Sequence, residues 1–284
     1  MNKAMQFKVR IKNLATRNHV PAQAVLQTFM LERLLERISQ SRYKDMIVLK
    51  GGVLIASLVG ISSRTTMDMD ATLRGYPLSE ETIQSAFAEI CAITLDDEVA
   101  FVLNHTAPIR EDDEYGGYRV ALVARYESIN TSLKIDITTG DIITPAAVRY
   151  IFHSNFETKD IEVWAYPIET ILAEKIETIL RRSVLNTRPR DFYDVYILMK
   201  NYQLSVRPEV LSAALLATCD KRGSLGALER KDAILLNIEA DQLMRQRWDR
   251  YQKDNSYASG ITFEDVLGVL RMNEIIQKHP PNLQ

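Results

Sequence analysis

Two aspartates one residue apart, Asp68 and Asp70 in "RTTMDMDATL", and a third, Asp136, in "SLKIDIT", are the side chains whose types and spacing could carry out chemistry. The alternation of the first stretch predicts a strand over residues 64–73, and residues two apart in a strand share a face, which sets Asp68 beside Asp70. Like charges that close repel, and a hard divalent cation such as Mg²⁺ relieves the repulsion by taking their oxygens as ligands. Two aspartates on a solvated edge are the plain alternative. Asp136 shifts the balance: it lies between Ile135 and Ile137, on the polar face of an apolar strand with Lys134, where a charge needs a partner or a task. Upstream, Gly51 and Gly52 end the apolar run "MIVLK" and lack side chains that would keep a triphosphate from the backbone N–H groups. A helix after that turn would aim its N-terminus at the phosphates. Three carboxylates behind a glycine turn suit nucleotidyl transfer. There, two metal ions about 3.5–4 Å apart clamp the attacking oxygen, the transferred phosphate and the leaving pyrophosphate. The third carboxylate can take the proton of the attacking hydroxyl.

These residues need elements to position them. Apolar residues at helical spacing predict a helix over residues 21–39, with Asn18 before it as a cap, then a strand at "MIVLK" and a short helix at "VLIASLVG". "LSEETIQSAFAEICAIT" reads as a helix capped by Ser79, and "EVAFVLN", "YRVALVARY" and "SLKIDIT" as further strands. From Pro167 onward five segments show helical periodicity, several opened by Pro or Thr, with "RKDAILLNIEADQLMRQRWDRYQ" as one of them. The pattern predicts an α+β fold. Residues 1–160 form an α/β domain with a mixed sheet and residues 161–284 a helical domain, with a soft boundary between Thr144 and Pro167.

Bulk properties set the frame. A chain of 284 residues with 46% hydrophobic composition can bury a sizeable core. With 35 basic and 37 acidic side chains the net charge is -2, so any contact with nucleic acid must use a local patch. Cys91 and Cys219 stand far apart with no histidine at ligand spacing, which predicts free core thiols and argues against a zinc site. His19, His105, His153 and His279 are scattered and form no catalytic pair. No window offers 18 uninterrupted apolar residues and the N-terminal stretch has no apolar h-region, so a cytoplasmic protein with no membrane partner is expected. The acidic clusters at residues 96–98 and 111–114 read as solvated turns.

Taken together, "KGG", then "RTT" and "DMD", then "KIDIT", "LAEKIETIL" and "RPRDFYDVYIL" resemble the AbiEii/AbiGii toxin family of nucleotidyltransferases over residues 49–198. That family belongs to the DNA polymerase β-like superfamily and acts in abortive-infection toxin–antitoxin systems. The resemblance implies a polymerase β-like catalytic domain and Mg²⁺-dependent transfer of nucleotide from an NTP, with two ions expected and Mn²⁺ as a substitute. It also implies tRNA 3′ ends or other RNA as acceptor, a cognate antitoxin protein as partner, and a role in phage defence. Carried over by motif, Gly51 and Gly52 with Lys50 match the phosphate turn, and Asp68, Asp70 and Asp136 the metal ligands. Lys175 matches a helix lysine that reaches the triphosphate, while Asp191 and Asp194 match the "RDxYD" motif. Where relatives carry a hydroxyl in the turn, this chain has Gly52 and Val53, leaving Ser57, Ser62 and Ser63 as substitutes. Arg64 is expected either to neutralise a phosphate or to pair with the aspartates. Without the resemblance, Lys175 reads as a surface lysine, and Asp191 and Asp194 as a cap and a salt bridge.

Two basic runs could meet RNA: Lys175, Arg181, Arg182, Arg188 and Arg190, and Arg245, Arg247, Arg250 and Lys253 with Trp248 and Tyr251 to stack on bases. Both also read as solvated helix surfaces. Two rivals stand beside RNA modification: transfer to a protein or small molecule by the same site, and a nucleotide-binding module without turnover.

Overall fold

The computed structural model describes residues 2–109 and 116–271. The acidic cluster at residues 111–114 and the end of the last helical segment lie outside them. The chain divides into two compact units, residues 1–141 with 148–165, and residues 142–147 with 166–284.

The first unit runs α1 (Lys3–Asn18), α2 (Ala22–Gln40), β1 (Ile47–Lys50), α3 (Gly51–Val59), β2 (Met69–Leu73), α4 (Glu80–Ala92), β3 (Val99–Pro108), β4 (Gly117–Tyr126), β5 (Ile129–Thr139), β6 (Val148–His153) and β7 (Asp160–Ala165). Its strands form a mixed sheet in the order β3-β4-β5-β2-β1-β7-β6. β2 and β1 lie parallel to β5 and β7 respectively, and the other neighbours are antiparallel. Met69, Ala71, Leu133, Ile135, Ile137, Val120 and Leu122 fill one face and are buried. Helices α2 and α4 pack on the sheet. The other face carries Asp70 and Asp136.

Several expected elements differ. Asn18 does not cap α2: its amide donates to the Leu14 carbonyl at 2.9 Å and closes α1, a helix the charge-rich N-terminal stretch concealed. Ser79 does cap α4, in a reciprocal box with Thr82. The strand expected over residues 64–73 begins only at Met69. Before it, the Gln27 amide donates to the Met67 carbonyl at 2.8 Å and the Thr66 hydroxyl to that of Asp68 at 3.1 Å, so side chains satisfy backbone groups that a ladder would otherwise hold.

The second unit is helical: α5 (Ile168–Arg182), α6 (Pro189–Tyr202), α7 (Pro208–Lys221), α8 (Leu225–Glu229), α9 (Lys231–Ala240), α10 (Gln242–Asp254) and α11 (Phe263–Arg271). The segment read as one helix breaks at Asp241, whose carboxylate accepts from the Met244 N–H and starts α10. Both thiols are free, and burial pushes each up to about 11. No helix of the described residues is long and apolar enough to cross a membrane.

Candidate active site

The register of the sheet places four charges in one row. Lys50 on β1 is opposed to Asp70 on β2, Asp70 to Asp136 on β5, and Asp136 to Arg119 on β4. Residues directly opposed on neighbouring strands point to the same face, so the row reads plus, minus, minus, plus across the sheet.

The two central carboxylates are balanced differently. Asp136 is gripped by Arg119 through a two-pronged pair, Nε to Oδ1 and Nη2 to Oδ2, each at 2.7 Å. That hydrogen bond, helped by the charges of Asp136, Asp68 and Asp70, raises the Arg119 pKa above its ordinary value. Asp70 faces the start of α3, where the Gly52 N–H donates to Oδ2 at 3.3 Å and the positive end of the helix favours a carboxylate.

This explains the double glycine. Gly51 adopts a φ of +64°, and a Cβ there would stand 2.1 Å from Asp70 Oδ2. A Cβ on Gly52 would stand 2.5 Å from Thr66 Oγ1. The glycines were expected at a triphosphate; their immediate neighbours are the Asp70 carboxylate and the Thr66 hydroxyl.

The remaining expected residues of this unit are placed as follows. Asp68 lies outside the strand, exposed in the bend before β2, and not beside Asp70 on a strand face. Arg64 is buried, with its guanidinium donating to the Thr65 carbonyl and standing 3.1 Å from where a Gly52 Cβ would be. The Lys50 ammonium, expected at the nucleotide, donates to Asp141 Oδ2 at 2.6 Å and Thr138 Oγ1 at 2.8 Å. Burial pushes the Asp141 carboxyl up, but the charge and hydrogen bond of Lys50, with bonds from Thr138 and Thr72, outweigh it and hold Asp141 below the usual carboxylate value. Of the candidate hydroxyls, Ser57 is engaged by the Leu54 carbonyl and the Tyr150 hydroxyl, each at 2.9 Å. Thr66, which reading by sequence position passed over, is the hydroxyl against Gly52.

Asp70 and Asp136 offer hard oxygen donors on directly opposed residues, a donor chemistry that fits Mg²⁺ or Mn²⁺. Among the described residues no three of His, Cys, Asp and Glu come together as a metal-holding group. The pair therefore stands without Asp68 as a third ligand in this arrangement, and Arg119 takes both oxygens of Asp136. Arg119 was missed because an exposed arginine alternating with Val120 and Leu122 reads as an ordinary solvated side chain; its one signal was its place on the polar face of a strand.

In the second unit Lys175 on α5 meets Asp191 Oδ1 at 2.6 Å and Asp194 Oδ2 at 3.0 Å, with both carboxylates buried on α6. The three-residue spacing of Asp191 and Asp194 puts them on one helix face, where one lysine can answer both. Arg188 Nε lies 3.1 Å from Asp191 Oδ2. Neither aspartate caps α6: Arg188 holds that position without a side-chain cap bond, and Asp191 sits within the first turn.

The two basic runs are largely engaged within the unit. Arg181 pairs with Glu177 at 2.6 Å, and Arg245 with Glu264. Arg247 donates to the carbonyls of Val184 at 3.1 Å and Asn186 at 2.9 Å. Trp248 and Tyr251 are buried in the helical core, so they offer no ring to an RNA base.

A family model described as "Nucleotidyl transferase AbiEii toxin, Type IV TA system" matches residues 33–269. No curated protein matches the chain. Among solved structures, a protein of H. pylori described as a candidate nucleotidyltransferase is similar at 15% identity and TM-score 0.49, covering 90% of this chain and 96% of its own. The JHP933 protein of Helicobacter pylori is similar at 15% identity and TM-score 0.48, covering 89% and 92%. An antigenic nucleotidyltransferase-like protein of Paracoccidioides brasiliensis shares 16% identity at TM-score 0.40, covering 70% and 92%.

Proposed function

The chain belongs to the AbiEii family of nucleotidyltransferase toxins of type IV toxin–antitoxin systems, and from that premise we propose that it transfers a nucleotide from an NTP to an RNA 3′ end, with Asp70 and Asp136 as its acidic centre. The observation that carries this reading is the register pairing of those two aspartates at the start of α3.

In this reading Asp70 and Asp136 would hold Mg²⁺, and the bound ion would supply positive charge to the transferred phosphate and the leaving pyrophosphate. Asp136 accepts the proton of the attacking hydroxyl. Arg119, already aimed at Asp136, keeps the two carboxylates from repelling each other when no cation stands between them. The N–H groups at the start of α3 and the Thr66 hydroxyl line the approach of the triphosphate. Asp68, exposed on the bend before β2, would be the third ligand. Lys175, with Asp191 and Asp194, carries the family's second motif within the helical unit, where the lysine is held by both carboxylates. The protein works in the cytoplasm, restrained by a cognate antitoxin.

The experiment supplies the protein with Mg²⁺ and each NTP in turn, labelled in its α-phosphate, together with total RNA, protein extract or neither. Label in RNA with the wild type, and not with Asp70→Asn, is the expected result. Label in protein would replace RNA as acceptor, and NTP binding without transfer would point to a module without turnover.

A further inference from the structure

The sheet face that carries Asp136 continues past it as an open floor. Register pairing fixes its members: Lys134 is opposed to Ala121, Ser132 to Val123, and Asn130 to Arg125. Directly opposed residues share a face, and so do residues two apart along a strand, so all six stand on the side of Asp136 and Arg119. β3 widens the floor with His105 beside Ala121 and Val102 beside Val123. The apolar core uses the other face, through Val120, Leu122, Leu133 and Ile135, which leaves Arg125, Asn130, Ser132 and Lys134 exposed.

The charge on this floor has one sign. In a chain with 37 acidic side chains, Asp136 is the one acid on this face among the described residues of β3, β4 and β5. Against it stand Arg119, Arg125 and Lys134. Arg119 grips Asp136, whereas Arg125 and Lys134 have no ion-pair partner among the described residues. From Asp136 to Asn130, opposite Arg125, six residues at about 3.4 Å each span about 20 Å. One strand of a duplex presents about six phosphates over that length.

We propose that this face is the track along which the acceptor RNA strand runs to the acidic pair, a reading that rests on RNA being the acceptor. The 3′ hydroxyl stands at Asp136, and the phosphates behind it meet Lys134 and then Arg125, with the Ser132 hydroxyl and the Asn130 amide donating between them. The small side chains Ala121, Val123 and Ser132 make the floor flat. That suits a strand lying along it better than a protein, which anchors large side chains in pockets. The cations also lead without a break to the carboxylate that takes the proton of the acceptor. No Phe, Tyr or Trp stands on this face among the described residues of its three strands, so the grip falls on the phosphate backbone and not on stacked bases.

The test measures binding of a fluorescein-labelled single-stranded RNA by the full-length protein without NTP, by fluorescence anisotropy, at 50 and 200 mM salt. Two phosphate contacts on a single strand contribute about -1.4 to the salt slope. The variant Arg125→Gln, Lys134→Gln is expected to bind more weakly at 50 mM and to lose that part of the slope, so its deficit against the wild type shrinks about sevenfold by 200 mM. A control, Lys8→Gln with Lys12→Gln, removes the same charge from exposed positions of α1, whose Phe7 packs against Tyr126 on the apolar face. It is expected to bind as the wild type does, and circular dichroism verifies that both variants fold. Transfer of α-labelled nucleotide is measured alongside, with RNA and with protein extract. Equal binding by the wild type and the Arg125, Lys134 variant, or an equal loss in the control, overturns the inference. Label transfer to RNA by the wild type and that variant with the same KM for RNA overturns the track while leaving the RNA acceptor standing. A wild type that binds no RNA and labels only protein overturns the track and the RNA acceptor together.

Discussion

Replacing Arg119 by Gln isolates the balance of charge at the sheet's acidic pair. Asp70 and Asp136 are opposed on neighbouring strands, and strands lie about 4.8 Å apart. Two unit charges about 5 Å apart repel by about 0.8 kcal/mol in water and about 3 kcal/mol at an effective dielectric constant of about 20. The Asp136 side chain is 19% exposed but that of Arg119 is 46% exposed, so solvent screening pulls the net effect toward the lower end. We expect Arg119→Gln to cost about 1 kcal/mol in the presence of a chelator, or about 2–4 °C in Tm. A divalent cation should then substitute for the guanidinium: added Mg²⁺ is expected to raise the Tm of Arg119→Gln more than that of the wild type, closing the gap. The assay is thermal unfolding of four proteins, wild type, Arg119→Gln, Asp136→Asn and the double variant, with chelator and with Mg²⁺. In the double variant the repulsion is gone, so the penalty of losing Arg119 should vanish. A penalty that persists in the double variant, or a Tm response to Mg²⁺ that ignores Arg119, would refute the reasoning.

Other outcomes follow from neighbouring groups. Gly51→Ala puts a Cβ into the Asp70 carboxylate at a φ of +64°, and is expected to cost more than about 1–2 kcal/mol in denaturant unfolding, since the backbone conformation alone costs about that. Asp141→Asn leaves the Lys50 ammonium poorly paired and should cost about 3 kcal/mol at neutral pH. Because the folded Asp141 pKa is held down, the wild type's advantage is full above the unfolded carboxylate value of about 3.9 and fades as pH falls through the lower folded value; urea midpoints of both proteins from pH 7 to pH 3 check this. Lys175→Met removes the ammonium shared by two buried carboxylates and is expected to cost about 3 kcal/mol, whereas Lys175→Met with Asp191→Asn and Asp194→Asn should recover part of that loss in the same unfolding assay.

The opening strands, the glycine turn and the isolation of Asp136 between two isoleucines were legible because period-two alternation and flanking apolar residues mark strands directly. The pairing that matters was not. Nothing local says that β5 lies parallel to β2 with Asp136 opposite Asp70, since register between strands more than sixty residues apart is decided by the packing of the apolar face. Asp68 misled for a related reason: alternation continued through residues 64–68, while Gln27, forty residues earlier, captured the Met67 carbonyl and ended the strand. The basic runs misled because side-chain type is visible in a sequence and its partner is not. Trp248 looked like a stacking platform and is core, and α1, whose cations stay exposed, was hidden by those same charges. Strands β6 and β7 fall in the soft boundary between Thr144 and Pro167, where exposed Arg149, Glu162 and Asp160 dilute the apolar pattern.

The central claim is that the Asp70 and Asp136 pair performs nucleotidyl transfer, and pyrophosphate release measured alongside incorporation of α-labelled nucleotide into RNA tests it most directly. The account predicts equal amounts of pyrophosphate and incorporated label for the wild type, and loss of both by at least about a hundredfold in Asp136→Asn with folding intact. Undiminished incorporation by Asp136→Asn, or label appearing in RNA without pyrophosphate, would contradict it.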